Sequence, residues 1–115
     1  LLDYGKTIAQ CLESSPAGTA RAYRSHQLSG AILENLGSQD LTCHVLWDRI
    51  EPVLAGAGFR NVRLDRQEAF FVKYAGAEME RIALSGDSEA TGRLRALTHP
   101  AHFGAKFQVL HAIRG

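Results

Sequence analysis

Residues 59–65, Phe-Arg-Asn-Val-Arg-Leu-Asp, constrain this chain most. Val62 and Leu64 fall on one side of an extended backbone, and Asn61, Arg63 and Asp65 on the other, because side chains in a strand alternate with period two. The pattern predicts a strand with one wet face, close to a sheet edge. Residues 106–113 behave differently. Phe107, Val109, Leu110, Ala112 and Ile113 put apolar groups on both sides, which predicts an interior strand. Leu1-Leu2-Asp3-Tyr4-Gly5 is short, apolar and closed by Asp and Gly, so it reads as the end of a buried strand entering a loop.

Helices fill much of the remainder. Trp47, Ile50, Val53 and Leu54 recur at helical spacing, and Gly56 and Gly58 stop the helix. Gln67 to Leu84 is expected to be helical with a break at Gly76. Phe70, Phe71 and Tyr74 form one stripe for the core, and Met79, Ile82 and Ala83 a second. A third helix is expected over Ser88–Leu97, with Ser88 or Asp87 as N-cap and Pro100 just beyond its end. A short helix within residues 6–18 runs through Ile8, Cys11 and Leu12 until Ser14-Ser15-Pro16 breaks it. Thr19–Gln27 is a weak strand or extended loop, and residues 28–39 are mostly loop. The order is strand, long excursion, helix, strand, helices, strand, which is an α/β pattern. Three strands are few for a sheet covered on both faces, so residues 1–115 are expected to be a single partial domain.

Composition excludes some partners. The chain is 45% hydrophobic and 22% charged, with net charge +1, near the average for globular domains. Its arginines are spread along the chain, so neither nucleic acid nor an anionic membrane is the expected partner. Cys11 and Cys43 lie in no zinc or CxxC spacing; a reduced, cytoplasmic setting with free thiols is the default, and one disulfide between them is the alternative. No apolar run approaches the ~20 residues of a membrane span. Leu1-Leu2-Asp3 offers neither a basic segment nor an apolar leader, and no Met precedes it. The chain is therefore expected to be a piece of something longer.

The densest polar stretch is Gly37 to Val45. If it is extended, Asp40, Thr42 and His44 share one side. An acid, a hydroxyl and an imidazole together can bind a polar substrate or relay a proton. The plainer reading has Asp40 and Thr42 holding the loop through side-chain to backbone bonds, with His44 an ordinary half-buried histidine. Asp3 and Tyr4 sit at the carboxyl end of a strand, where α/β sheets keep their chemistry; the plainer reading there is a turn-forming Asp. His99 and His102 have a spacing that can hold metal on a helix, but Pro100 lies between them and no third ligand is near, so they read as helix-end histidines. Gly56-Ala57-Gly58 follows a helix and opens a strand, the reverse of a nucleotide loop.

Taken in order, several segments resemble one family. They are Asp3-Tyr4-Gly5, Gly18-Thr19 through Tyr23-Arg24 and His26, Gly37 to Val45, Gln67-Glu68-Ala69-Phe70-Phe71, Leu97-Thr98-His99-Pro100 and Phe103 to Leu110. The chain resembles the C-terminal part of the MidA-like S-adenosylmethionine-dependent methyltransferases, which include the mitochondrial complex I assembly protein arginine methyltransferase. The resemblance covers nearly the whole chain. It implies the back half of a Rossmann-like methyltransferase sheet, with Leu1–Tyr4 as fifth strand, Phe59–Leu64 as sixth, and Lys106–Ile113 as an antiparallel seventh between them. It implies S-adenosylmethionine as cofactor, with the main cofactor loop outside this chain and the cofactor-binding residues here unknown. It also implies methyl transfer to a nitrogen on a protein, arginine included. Asp3 and Tyr4 are the catalytic candidates; Arg24, His26, Asp40, Thr42 and His44 are the substrate-binding candidates; no metal is expected. The isolated chain is expected to be inactive and to self-associate through an unpaired edge at Leu1–Tyr4. A non-catalytic partner-binding or assembly module is the alternative.

Overall fold

The computed structural model describes residues 1–29 and 31–115; Gly30, inside the loop expected over 28–39, lies outside the described residues. In chain order the elements begin with β1 (Leu2–Asp3), β2 (Gly5–Lys6), α1 (Ile8–Ser14), β3 (Arg21–Arg24), β4 (Gln27–Ser29), β5 (Asp40–Thr42) and β6 (Val45–Leu46). They continue with α2 (Trp47–Gly56), β7 (Phe59–Arg66), α3 (Gln67–Leu84), α4 (Ser88–Thr98) and β8 (Gln108–Arg114). Two compact units result: Leu1–Tyr4 with Arg49–Gly115, and Gly5–Asp48.

The first unit carries an antiparallel sheet of order β1-β8-β7. The two-faced strand is the middle one, and the one-sided strand is an edge. Asp65 pairs with Val109 and Leu64 with Leu110, but register slips between Arg60 and Arg63. There, Asn61 and Val62 stand against the single residue Ala112, and Asn61 takes φ 53. This is a β-bulge, and it re-phases the strand. Strict alternation from Phe59 would put its ring beside Arg63; the extra residue instead brings Phe59 onto the side of Val62 and Leu64. All three are half-buried, while Arg60 and Arg63 are exposed. Asn tolerates this left-handed backbone better than a β-branched residue does, so Asn61→Val is expected to cost about 1–2 kcal/mol and Asn61→Gly almost nothing. Thermal denaturation of the two variants checks this; equal stability would mean that the bulge is not set at Asn61.

The start of α3 finds partners in the loop before β8. Gln67 N donates to Phe107 O (3.1 Å) and Glu68 N to Gly104 O (3.0 Å), which satisfies amides that a helix start leaves open. The Gln67 side chain is buried, and its Nε2 donates to Leu97 O (2.5 Å), tying the start of α3 to the end of α4. Asp87 caps α4, its Oδ1 accepting from Glu89 N and Ala90 N. The break in α3 falls at Ala75 (φ −131°), one residue before the glycine expected to cause it. Beyond that break, Arg81 forks onto Glu78 at 2.8 and 2.5 Å. This hydrogen bonding holds the Glu78 carboxyl below its ordinary range and raises Arg81.

One sequence expectation is corrected here. Phe70, Phe71 and Tyr74 do not form a core stripe. The two phenylalanines are half-buried, and Tyr74 is 55% exposed. Phe70 and Tyr74 instead meet each other at 4.8 Å and flank the His111 ring at 5.2 and 5.4 Å. Helical spacing put them on one face, but a three-strand sheet is too narrow to cover that whole face.

The second unit holds a parallel pair, β2 with β6, and an antiparallel sheet of order β4-β3-β5. The weak strand expected over 19–27 is the centre of that sheet, with Ala22 fully buried. Arg24 and Gln27 pair across a two-residue turn in which Ser25 (φ 50) and His26 (φ 62) are both left-handed. Two positive φ values match the twist of a tight hairpin. Helix α1 is closed by a reciprocal capping box between Thr7 and Gln10.

Candidate functional site

Asp3 and Tyr4 belong to the first unit. Asp3 ends β1, and its Oδ1 accepts from Tyr4 N at 2.7 Å. One carboxylate oxygen is therefore already engaged by the backbone. The Tyr4 ring packs against Phe107 at 4.1 Å, so the loop before β8 sets its orientation.

The other five candidates lie in the second unit. Cross-strand pairing sets Asp40 opposite Tyr23 and Thr42 opposite Arg21. With period-two alternation, Arg21, Tyr23, Asp40 and Thr42 share one face of the sheet. Arg24 lies on the opposite face, and His26 sits at the hairpin tip. The structure thus joins Asp40 and Thr42, and adds Arg21 and Tyr23, which the sequence reading did not select. Their signal was the Arg-Ala-Tyr alternation around a buried alanine.

His44 leaves that group. β5 ends at Thr42, and His44 N donates to Thr19 Oγ1 at 3.1 Å. Strand pairing therefore sets Asp40 and Thr42 on one side and does not extend to His44. His44 instead lines a cavity of about 330 Å³ with Thr19, Cys11, Cys43 and Leu46. Its Nδ1 is buried without a hydrogen-bond partner, and a buried polar atom left so is unusual. Gln39 holds the preceding loop, its Nε2 donating to the carbonyls of Ala31, Ile32 and Glu34. Gln39 thus has a loop-holding role of the kind considered for Asp40 and Thr42.

Three other features bear on chemistry. Among the described residues, no group of three or more His, Cys, Asp and Glu is placed to hold a metal ion. His99 caps the C-terminal end of α4, 5.6 Å from the His102 ring. Gly56-Ala57-Gly58 closes α2 and opens β7, with Gly58 at φ 84. That geometry does not suit a dinucleotide or S-adenosylmethionine cradle, which follows a strand and opens a helix. Among the described residues, none is assigned to the cofactor. No helix of the described residues is long and apolar enough to cross a membrane.

Helices and small sheets following one another along the chain make this an α/β protein. A family model described as "Putative S-adenosyl-L-methionine-dependent methyltransferase" matches residues 1–63 of the 115. The chain belongs to this family, whose cofactor is S-adenosyl-L-methionine. It is also similar to a crystal structure from Burkholderia thailandensis described as a "likely methyl transferase" bound to S-adenosyl-homocysteine. That match has TM-score 0.75 and 22% identity, and covers 98% of this chain and 30% of that one. A native crystal structure of an uncharacterized protein of the same superfamily and organism gives TM-score 0.69 and 23% identity, covering 98% of this chain and 32% of that one. These likenesses show the fold. The chain spans about a third of the length of those structures. No curated protein matches it.

Proposed function

We propose that this chain contributes the acceptor side of an S-adenosylmethionine-dependent methyltransferase acting on a protein nitrogen, with arginine the first acceptor to test. The observation that carries the reading is the family match over residues 1–63, which contain all seven candidate site residues. The sheet order supports the finer, Rossmann-like assignment: β1, β7 and β8 correspond to strands five, six and seven, with the last antiparallel between its neighbours. When bound, S-adenosylmethionine supplies a methyl group on a cationic sulfonium. In this chain, Asp3 keeps Oδ2 to accept a hydrogen bond from an acceptor N–H, while Oδ1 is engaged by Tyr4 N. Tyr4, braced by Phe107, bounds the acceptor. In the second unit Asp40 and Thr42 hold substrate with Arg21 and Tyr23, and Arg24, His26 and His44 make further contacts. The partner is a protein in the cytoplasm, not nucleic acid or a membrane, and copies of the isolated chain pair through the outer edge of β1, where Leu1 and Leu2 are exposed.

Methyl transfer by the full-length protein carrying Asp3→Ala, with its fold verified by circular dichroism, tests the assignment. Loss of a positioned acid–base group is expected to slow transfer by about 100-fold or more. A folded variant with an unchanged rate removes Asp3 from the site. A full-length protein that methylates no protein nitrogen overturns the reading.

A further inference from the structure

Both cysteines of this chain line one cavity. Cys11 is half-buried on α1, Cys43 is exposed between β5 and β6, and both thiols are free. Both side chains therefore open onto the same pocket of about 330 Å³, and a disulfide would need their Cα atoms brought to about 4–7 Å. α1 is the wall that yields most readily. It has seven residues, none of them buried, and such short, exposed elements open at low cost. The same cavity holds His44 with its unpartnered Nδ1.

We propose that Cys11 and Cys43 form a reversible thiol–disulfide pair whose oxidised state closes the His44 cavity to substrate. The closure rests on the reading of His44 as a substrate-binding residue; the pairing does not. The oxidant is a low-molecular-weight disulfide of the glutathione class. Exposed Cys43, as thiolate, attacks one sulfur of that disulfide and forms a mixed disulfide, and the first small thiol leaves with the proton that Cys43 lost. Cys11, as thiolate, then attacks Cys43 Sγ and expels the second small thiol, which takes the proton from Cys11. Two protein thiols are oxidised and one small disulfide is reduced to two thiols.

The test equilibrates the full-length protein in glutathione buffers from reducing to oxidising, then maps its cysteines by peptide mass and assays methyl transfer. Expected are a Cys11–Cys43 linked peptide lacking two hydrogens, no such link in Cys11→Ser, and at least a tenfold loss of transfer that reductant restores. A glutathione adduct on Cys43 with no link to Cys11 overturns the pair. A linked protein with undiminished transfer overturns the closure. A link that forms in a protein inactive in both states upholds the pair and tells against the methyltransferase reading.

Discussion

Gly5→Ala is expected to destabilise the chain by about 3 kcal/mol, the upper range for overpacking a closed site. A Cβ at Gly5 would lie 1.9 Å from Nε1 and 2.1 Å from Cε2 of Trp47. The indole cannot swing aside, because Trp47 is only 1% exposed. The strand cannot shift freely either, since Gly5 pairs with Val45 in the two-residue ladder of β2 and β6. Urea denaturation measures the loss. Gly92→Ala is the control: its Cβ meets open space on α4, so relief of helix-interior glycine should stabilise by about 0.5–1 kcal/mol. In a Trp47→Ala background the Gly5→Ala cost should shrink, as contacting sites are not additive. An undiminished cost there would show that the clash with the indole is not the cause.

Leu110→Ala is expected to cost about 2–5 kcal/mol, the range for emptying a core site. Leu110 is 2% exposed in the middle strand, opposite Leu64. Its backbone exchanges two bonds with Leu1, N to O at 2.8 Å and O from N at 2.9 Å. A cavity there therefore weakens the sheet where its three strands meet. The denaturation midpoint should fall without a change in slope. Leu84→Ala provides the contrast, because Leu84 is 80% exposed at the end of α3 and should move stability by no more than about 0.5 kcal/mol. Similar losses at both positions would locate the core elsewhere.

Local pattern carried much of the fold. The helix at 47–56 matched residue for residue because its apolar spacing and its glycine stop are both local signals. The strand at 59–66 and the middle strand at 108–114 were legible for the same reason: a wet face and a dry face leave different alternation. The candidate site was legible only in part. Asp3 and Tyr4 stand at a strand end as expected, and Asp40 and Thr42 share a sheet face. Arg24 fell on the other face and His44 left the strand. Arg21 and Tyr23 were not selected because their shared face depends on pairing with Thr42 and Asp40, and Gln39 was not because its partners are backbone carbonyls, which leave no residue-type signal.

The amino-acid sequence by itself determined the helices, the strand over 59–66, that the last strand is interior, and the family whose ordered motifs it shares. Those properties follow from repeats a few residues long. Tertiary structure alone decided the bulge that turns Phe59 toward Val62 and Leu64, the exposure of Tyr74, and the face shared by Arg21, Tyr23, Asp40 and Thr42. It also decided the cavity that brings Cys11, Cys43 and His44 together. Each depends on hydrogen-bond register or wall packing between segments distant in the chain, and no local period encodes that register.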